Sequence, residues 1–301
     1  MKKRKKIQPI DIVIYAILIL ITLIILYPLY FTIIASVSEP YDVVRGDVIL
    51  WPKGFTLESY VNVFQNKEIW IGYKNNIIYT GCGTLLAMIL TISAAYALSK
   101  KYLWQRNLIM TYFVITMYFS GGLLPSYLNV KNLGLLNKPY TLIILGAFST
   151  YNLIVAKTFF QSSIPESLYE AAEIDGCSQI GQFLRIAIPL AKPIIAVIAL
   201  YYAVGWWNNY YNSLVYVTKS QYYSLQMILR SILNESANAL QNLDPNTGYE
   251  VDALEYFLHK AYMAEAMKYS VIIIASLPML IVYPFVQKYF VKGAMLGAVK
   301  G

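Results

Sequence analysis

The sequence predicts an all-α membrane protein that crosses a bilayer about six times, and three observations carry that reading. Of its 301 residues, 58% are hydrophobic and only 13% charged, against roughly 25% charged in soluble domains. Several apolar stretches reach the roughly 20 residues that carry a helix, at about 1.5 Å per residue, through about 30 Å of hydrocarbon. The basic residues fall between those stretches rather than along one stripe, so the formal charge of +8 points to topology and away from nucleic acid.

Taken in order, the first element is a basic cluster, Lys2-Lys3-Arg4-Lys5-Lys6, followed by an apolar run over about 12–35. A signal peptide begins in the same way, but its apolar region is roughly 7–15 residues, and this run is well beyond that. An uncleaved first span is the better reading. A polar segment at about 36–75 carries Glu39, Asp42, Asp47 and Glu58. Spans follow at about 76–98, 108–128 and 140–160, the third broken by Gly121-Gly122 and Pro125. The fifth span is expected at about 193–217. A second long polar segment, 218–266, holds Asp244, Glu250, Asp252, Glu255 and Glu265, with a helix-like stretch from Leu225 to Leu240 and a turn-like Asp244-Pro245-Asn246-Thr247-Gly248. The sixth span, about 267–285, contains Pro278 and Pro284. Prolines inside spans free backbone groups, which either neighbouring helices or a polar cavity must satisfy.

Orientation follows from lysine and arginine in short loops. The N-terminal cluster, then Lys100, Lys101 and Arg106, then Arg185 and Lys192, then Lys288, Lys292 and Lys300 share one side if the N-terminus is cytoplasmic. Both termini are then inside, with external loops at about 36–75 and 218–266 and a cytoplasmic loop at about 161–192. No internal repeat or linker divides the chain, so 1–301 reads as one helical bundle.

What the sequence omits narrows the function. Within the span limits Lys157 is essentially the only ionisable residue. Ion-coupled carriers keep such residues in their spans for their chemistry, which argues against that class. No G-x-x-x-x-G-K-[ST] loop is present, so nucleotide would be bound by another subunit. The single His259 has no nucleophile arranged around it, and no enzyme activity is expected. Cys82, in an apolar stretch, and Cys177, in a polar loop, form neither a disulfide framework nor a metal motif.

The loop between the fourth and fifth spans runs from Ser163 to Pro189. Ser163 and Glu166 have capping-box spacing, Pro165 is tolerated in a first turn, and Gly176 can take the left-handed conformation that ends a helix. A helix over about 164–175 is implied. Ser178 can cap a second, carrying Ile180, Phe183 and Leu184 on one side and ended by Pro189. Such a helix–turn–helix fits a docking device for a soluble partner and equally a structural connector.

The order Glu170-Ala171-Ala172, Asp175-Gly176, Phe183 and Pro189 resembles the signature loop of ATP-binding-cassette importer permeases. Trp207-Asn208-Asn209-Tyr210 and the ending from Lys292 to Gly301 are similar to the carbohydrate-uptake branch. The resemblance implies a type I ABC importer permease-like bundle in a bacterial cell membrane, without a cofactor of its own. Its partners would be ABC ATPase subunits that bind and hydrolyse ATP with Mg, a second permease of different sequence and an extracellular solute-binding protein. The ATPase-coupling role would fall on Glu170, Ala171, Ala172, Asp175, Gly176, Cys177 and Phe183. Cys177 stands where the family commonly has alanine.

Aromatic side chains, 28 tyrosines and 5 tryptophans, suit stacking on sugar rings and equally suit membrane interfaces. The fifth span is distinctive, because Trp206, Trp207, Asn208, Asn209, Tyr210, Tyr211 and Asn212 crowd together. Asparagines in hydrocarbon require a polar path or a helix partner. Candidate path residues are Trp206, Trp207, Asn208, Asn209 and Tyr210, with Tyr151 and Asn152 from the fourth span. Tyr118, Ser120 and Tyr127 in the third fit helix packing better. An importer of amino acids, peptides or other small solutes, and a membrane receptor or scaffold that moves nothing, remain as competing readings.

Overall fold

A computed structural model describes residues 9–241 and 251–298; the N-terminal basic cluster, the 244–248 turn and the last three residues lie outside them. The described residues contain no strand. Their contacts gather into two units, residues 9–67 with 229–241 and 251–276, and residues 68–228 with 277–298.

In the first unit, α1 (Pro9–Ser36) is exposed along almost its whole length, as a helix whose solvent is lipid must be. Only its end is buried, where Ile34 and Ala35 meet Val43 of α2 (Pro40–Val44) and Val48, with Phe31 and Tyr269 against them. The 37–57 segment is held by its own backbone bonds, Glu39 N–H to the Lys53 carbonyl at 2.9 Å and Thr56 N–H to that of Val37 at 3.0 Å. Tyr27 and Tyr30 donate their hydroxyls to the carbonyls of Ile49 and Leu50. The first polar loop is thus a folded element, as its length required. Helix α3 (Glu58–Gln65) follows, with Ser59 and Val63 buried.

The second unit is organised on α4 (Lys67–Ser99), which starts nine residues before the expected limit at 76. Its buried residues, including Ile69, Gly72, Asn76, Tyr79, Gly83 and Ala87, recur every three or four positions and form one stripe. The third predicted span is α5 (Arg106–Tyr118) and α6 (Leu123–Asn132), turned by 114° at the Gly121-Gly122 break read from the sequence. The fourth is two pieces, α7 (Pro139–Ile144) and α8 (Thr150–Ser163), separated at 145–149. After it come α9 (Glu166–Ile174), α10 (Gln179–Gln182), a π turn (Phe183–Ala187) and α11 (Ile188–Leu190). The chain bends by 81° into α12 (Lys192–Trp207), which stops well short of the expected 217; α13 (Tyr211–Tyr216) completes that stretch. Helix α14 (Leu225–Gln241), which from Leu229 onward belongs to the first unit, matches the helix expected from Leu225 to Leu240, and α15 (Val251–Ala298), which passes from the first unit to the second after Ser276, embeds the sixth span in 48 helical residues.

Among the described residues, three helices are long and apolar enough to cross a membrane, and five spans result if each bent pair is one. The fourth predicted span accounts for the difference from six, because neither α7 nor α8 alone has the length.

Candidate functional site

The segment expected to dock a partner is built by local rules. Helix α8 runs to Ser163, Ile164 is extended, and Pro165, at φ −60° and ψ 137°, stands before the first turn of α9. The expected capping box does not form. Ser163 belongs to the last turn of α8, and the Glu166 carboxylate pairs with the Lys101 ammonium instead. The end of α9 closes as the sequence suggested: Gly176 has φ +76°, its N–H reaches the Glu173 carbonyl at 3.0 Å, and Cys177 N–H reaches that of Ala172 at 2.8 Å. This double closure satisfies carbonyls the helix would leave open, and its left-handed residue would cost an L side chain roughly 1–2 kcal/mol. Ser178 then caps α10, its Oγ accepting the Gly181 N–H at 3.2 Å. Pro189 does not end this second helix. It has no N–H to return to the Arg185 carbonyl, and the helix widens into the π turn before continuing to Leu190.

The segment has an outer and an inner face. Glu170, Ala171, Glu173, Asp175 and Gly176 are exposed, Ala172 and Cys177 are half-buried, and Ile174 projects at 87% exposure. Inside, Phe183 and Tyr169 rest on Tyr96 of α4, with ring centroids 4.9 and 6.0 Å away, and Phe160 of α8 closes the group at 5.8 Å. Lys100 enters this aromatic floor at only 8% exposure, its Nζ 3.0 Å from the Tyr169 ring centroid and 4.6 Å from that of Tyr96. Burial pulls the Lys100 ammonium down to about 8, while Glu166 and Glu173 act in the opposite direction. The same burial pushes the Tyr169 phenol up to about 12. A cleft of about 320 Å³ lies beside it, lined by Lys100, Lys101, Tyr102, Glu166, Tyr169 and Glu170 among others. Of this group the motif singled out Phe183 alone; the signal for Lys100 was a lysine placed directly after an apolar helix.

The predicted path residues do not form one surface. Trp206 is 5% exposed, donates its indole N–H to the Leu142 carbonyl at 3.0 Å, and lies so close to Gly83 and Gly146 that a Cβ on either would press into the ring. One turn earlier, Tyr202 accepts the Ser149 N–H at 3.0 Å and shares a 2.7 Å hydrogen bond with Thr91. These two aromatics of α12 flank the break between α7 and α8 and satisfy backbone groups freed there. Trp207 is also buried, edge-on to Tyr73 at 6.1 Å, and its carbonyl accepts from Asn76 Nδ2 at 3.0 Å.

The asparagines belong to the next break. Asn208 ends α12 and bonds back to the Val204 carbonyl at 3.1 Å, while Asn209 Oδ1 accepts the Asn212 N–H at 3.1 Å as α13 begins. Asn208 is exposed; Asn209 and Tyr210 are half-buried. On α8, Tyr151 is 57% exposed but Asn152 is buried. The structure thus leaves Asn208 and Tyr151 as the exposed members of the predicted path set. Sequence reasoning passed over Asn76, which is fully buried with an unpartnered Oδ1, and Thr80 and Thr84, whose hydroxyls are likewise buried and unpartnered on the same helix face. Their spacing of four was the available signal. Lys157 is not the one lysine within the predicted spans: Lys268 lies inside the sixth and forms an ion pair with Glu265 one turn earlier.

Comparison with known proteins agrees with this architecture. The profile of the family described as "Binding-protein-dependent transport system inner membrane component" matches residues 83–295. Protein LplC of Bacillus subtilis is 40% identical over 274 residues, covering 91% of this chain and 89% of that protein. The polygalacturonan/rhamnogalacturonan transport system permease protein YtcP of the same organism is 39% identical over 291 residues, covering 97% and 98%. Among solved structures, a chain of a bacterial ABC transporter involved in the import of the acidic polysaccharide alginate superposes with a TM-score of 0.82 at 30% identity, covering 95% of this chain and all of that one.

Proposed function

Because the chain belongs to the family of binding-protein-dependent transport system inner membrane components, the permease subunits of ATP-driven importers, we propose that it forms half of an oligosaccharide translocation path and takes its drive through residues 170–183. The carrying observation is the α9–α10 segment, a doubly closed helix whose exposed face holds Glu170, Ala171, Asp175 and Gly176 above an aromatic floor. A rigid prow with Ile174 outward suits a groove on a soluble ATPase, which binds ATP and Mg and hydrolyses it. Cys177 and Phe183 set the prow's inner edge.

The other half of the path is a second permease of different sequence, and an extracellular binding protein delivers the solute. Both termini face the cytoplasm of a bacterial cell, a reading supported by the side on which Lys100, Lys101, Arg106, Arg185 and Lys192 fall. Asn208 and Tyr151 contact the sugar from the breaks in two helices. The relatives named for polygalacturonan and alginate support an oligosaccharide as cargo.

The test is uptake by the reconstituted complex from a panel of labelled neutral oligosaccharides, uronate-containing oligosaccharides, amino acids and peptides. ATP-dependent accumulation of an oligosaccharide is expected. Accumulation of an amino acid or peptide alone would overturn the cargo, and movement of none despite bound ATPase would favour a receptor or scaffold.

A further inference from the structure

The connection between α4 and α5 touches the coupling segment with three consecutive side chains. Lys100 Nζ lies on the Tyr169 ring in α9, Lys101 pairs with Glu166 in the first turn of α9, and Tyr102 donates its hydroxyl to Gln179 Oε1 in α10 at 3.1 Å. The three contacts differ in weight. Lys101, Glu166 and Tyr102 are exposed, and exposed pairs contribute little. Lys100 is almost fully withdrawn from water, so its charge depends on the two ring faces that receive it. If α9 moved without α4, the ammonium would lose Tyr169 while staying buried beside Tyr96.

We infer that Lys100 is a positioning residue for ATP-driven transport, the pin of a clasp that makes α4 move with the coupling segment. The inference rests on the reading of that segment as the ATPase contact. Helix α4 is a continuous 33-residue rod, about 50 Å long. Along it Thr91 holds Tyr202, and Asn76 holds the Trp207 carbonyl at the break between α12 and α13. A displacement entering at Lys100 therefore reaches Tyr202, which braces the α7–α8 break, and the Trp207 carbonyl at the α12–α13 break. That route joins the outer face of α9 to the exposed Asn208.

Cys82 is exposed on α4 and Ser167 is exposed in the first turn of α9. Spin labels on Cys82 and on Ser167→Cys, in a Cys177→Ala background and in the complete complex with cysteine-free partner subunits, measure whether rod and segment travel together. The expected wild-type result is one distance distribution, unchanged between the nucleotide-free complex and the complex trapped with ATP and vanadate. Lys100→Met, which keeps the apolar stem, is expected to retain the ATPase subunit but to shift or broaden the distribution on trapping. Lys100→Arg, which keeps a cation on the rings, is expected to restore it.

A wild-type distance that changes on trapping, or a Lys100→Met complex that behaves as wild type in both states, would overturn the inference. So would a Lys100→Arg complex as perturbed as Lys100→Met, because the stem packing alone would then be responsible. A wild-type complex that never holds an ATPase would instead defeat the underlying reading of the segment, and it would be recognised before any label is attached.

Discussion

The α9–α10 segment and the 206–212 stretch contain similar ingredients, aromatic rings beside polar side chains at a helix end, yet they are assembled by different rules. In the first, the residues that close the helices are neighbours in sequence: Gly176 with Glu173, Cys177 with Ala172, Ser178 with Gly181. In the second, Asn208 and Asn209 also close locally, on Val204 and Asn212, but the partners of Trp206 are Leu142, Gly83 and Gly146, and the partner of the Trp207 carbonyl is Asn76. A segment outside the hydrocarbon can afford local closure because water serves its outer face. A broken helix at membrane depth closes part of its backbone locally and recruits side chains from other helices for the rest. On the function proposed above, exposure on the first region offers a surface to a partner, whereas aromatic richness in the second marks packing.

Substitutions can break this contrast, and the largest effect is expected at Trp206. Trp206→Ala removes a buried ring and the donor to Leu142; a loss of roughly 3–5 kcal/mol is expected, read as a large fall in the Tm of the detergent-purified chain. A Tm near wild type would mean that the ring does not brace the break. Gly176→Val places a β-branched side chain at φ +76°, with a local cost of roughly 1–2 kcal/mol. The helical circular dichroism should persist while ATPase association fails.

Ser178→Ala removes the α10 cap, for which about 1 kcal/mol is typical. A several-fold weaker ATPase affinity is expected, and an unchanged affinity would assign docking to α9 alone. Asn208→Ala and Asn209→Ala sharpen the second half of the comparison. Asn209→Ala loses the bond to the Asn212 N–H and should lower the Tm slightly, by roughly 0.5–1 kcal/mol in stability. Asn208→Ala should leave the Tm within error and reduce uptake, because its side chain is exposed.

The smallest effect is a pH dependence at Lys100. Its folded pKa, about 8, lies below the ordinary 10.5. The folded protein thus gives up this proton before the unfolded chain does, and the penalty of the buried charge is present below pH 8 and relieved as pH rises from 8 towards 10.5. Stability should rise slightly over that window while the cation on the rings is lost. Around the ammonium stand Tyr96, Lys101, Glu166, Tyr169 and Glu173. Coupled transport should weaken above pH 8 in wild type and less in Lys100→Arg, whose guanidinium stays charged; parallel profiles would remove Lys100 as the cause.

Much of the fold was legible because its signals are either long or local. The apolar lengths of α1, α4 and α15 announce themselves, the break at Gly121-Gly122 needed only its glycines, and Gly176 and Ser178 carry their roles within a few residues. The break inside the fourth predicted span had local signals in Gly146 and in Ser149, whose Oγ caps α8 by accepting the Asn152 N–H; hidden were the distant contacts that brace it, of Trp206 with Gly146 and of Tyr202 with Ser149. The misassigned capping box has the same origin. Glu166 had a local partner available in Ser163 and took a distant one, Lys101. The direction in which Trp206 points was hidden as well, because it depends on the missing Cβ of Gly83.

The docking role of the outer face of α9 is tested most directly by affinity purification of the tagged wild-type and Gly176→Val chains in mild detergent, with identification of what accompanies each. The account predicts an ATPase with the wild type and none with the variant, both chains retaining the second permease. An ATPase held equally by both, or absent from a wild-type complex that still holds its permease partner, would contradict it.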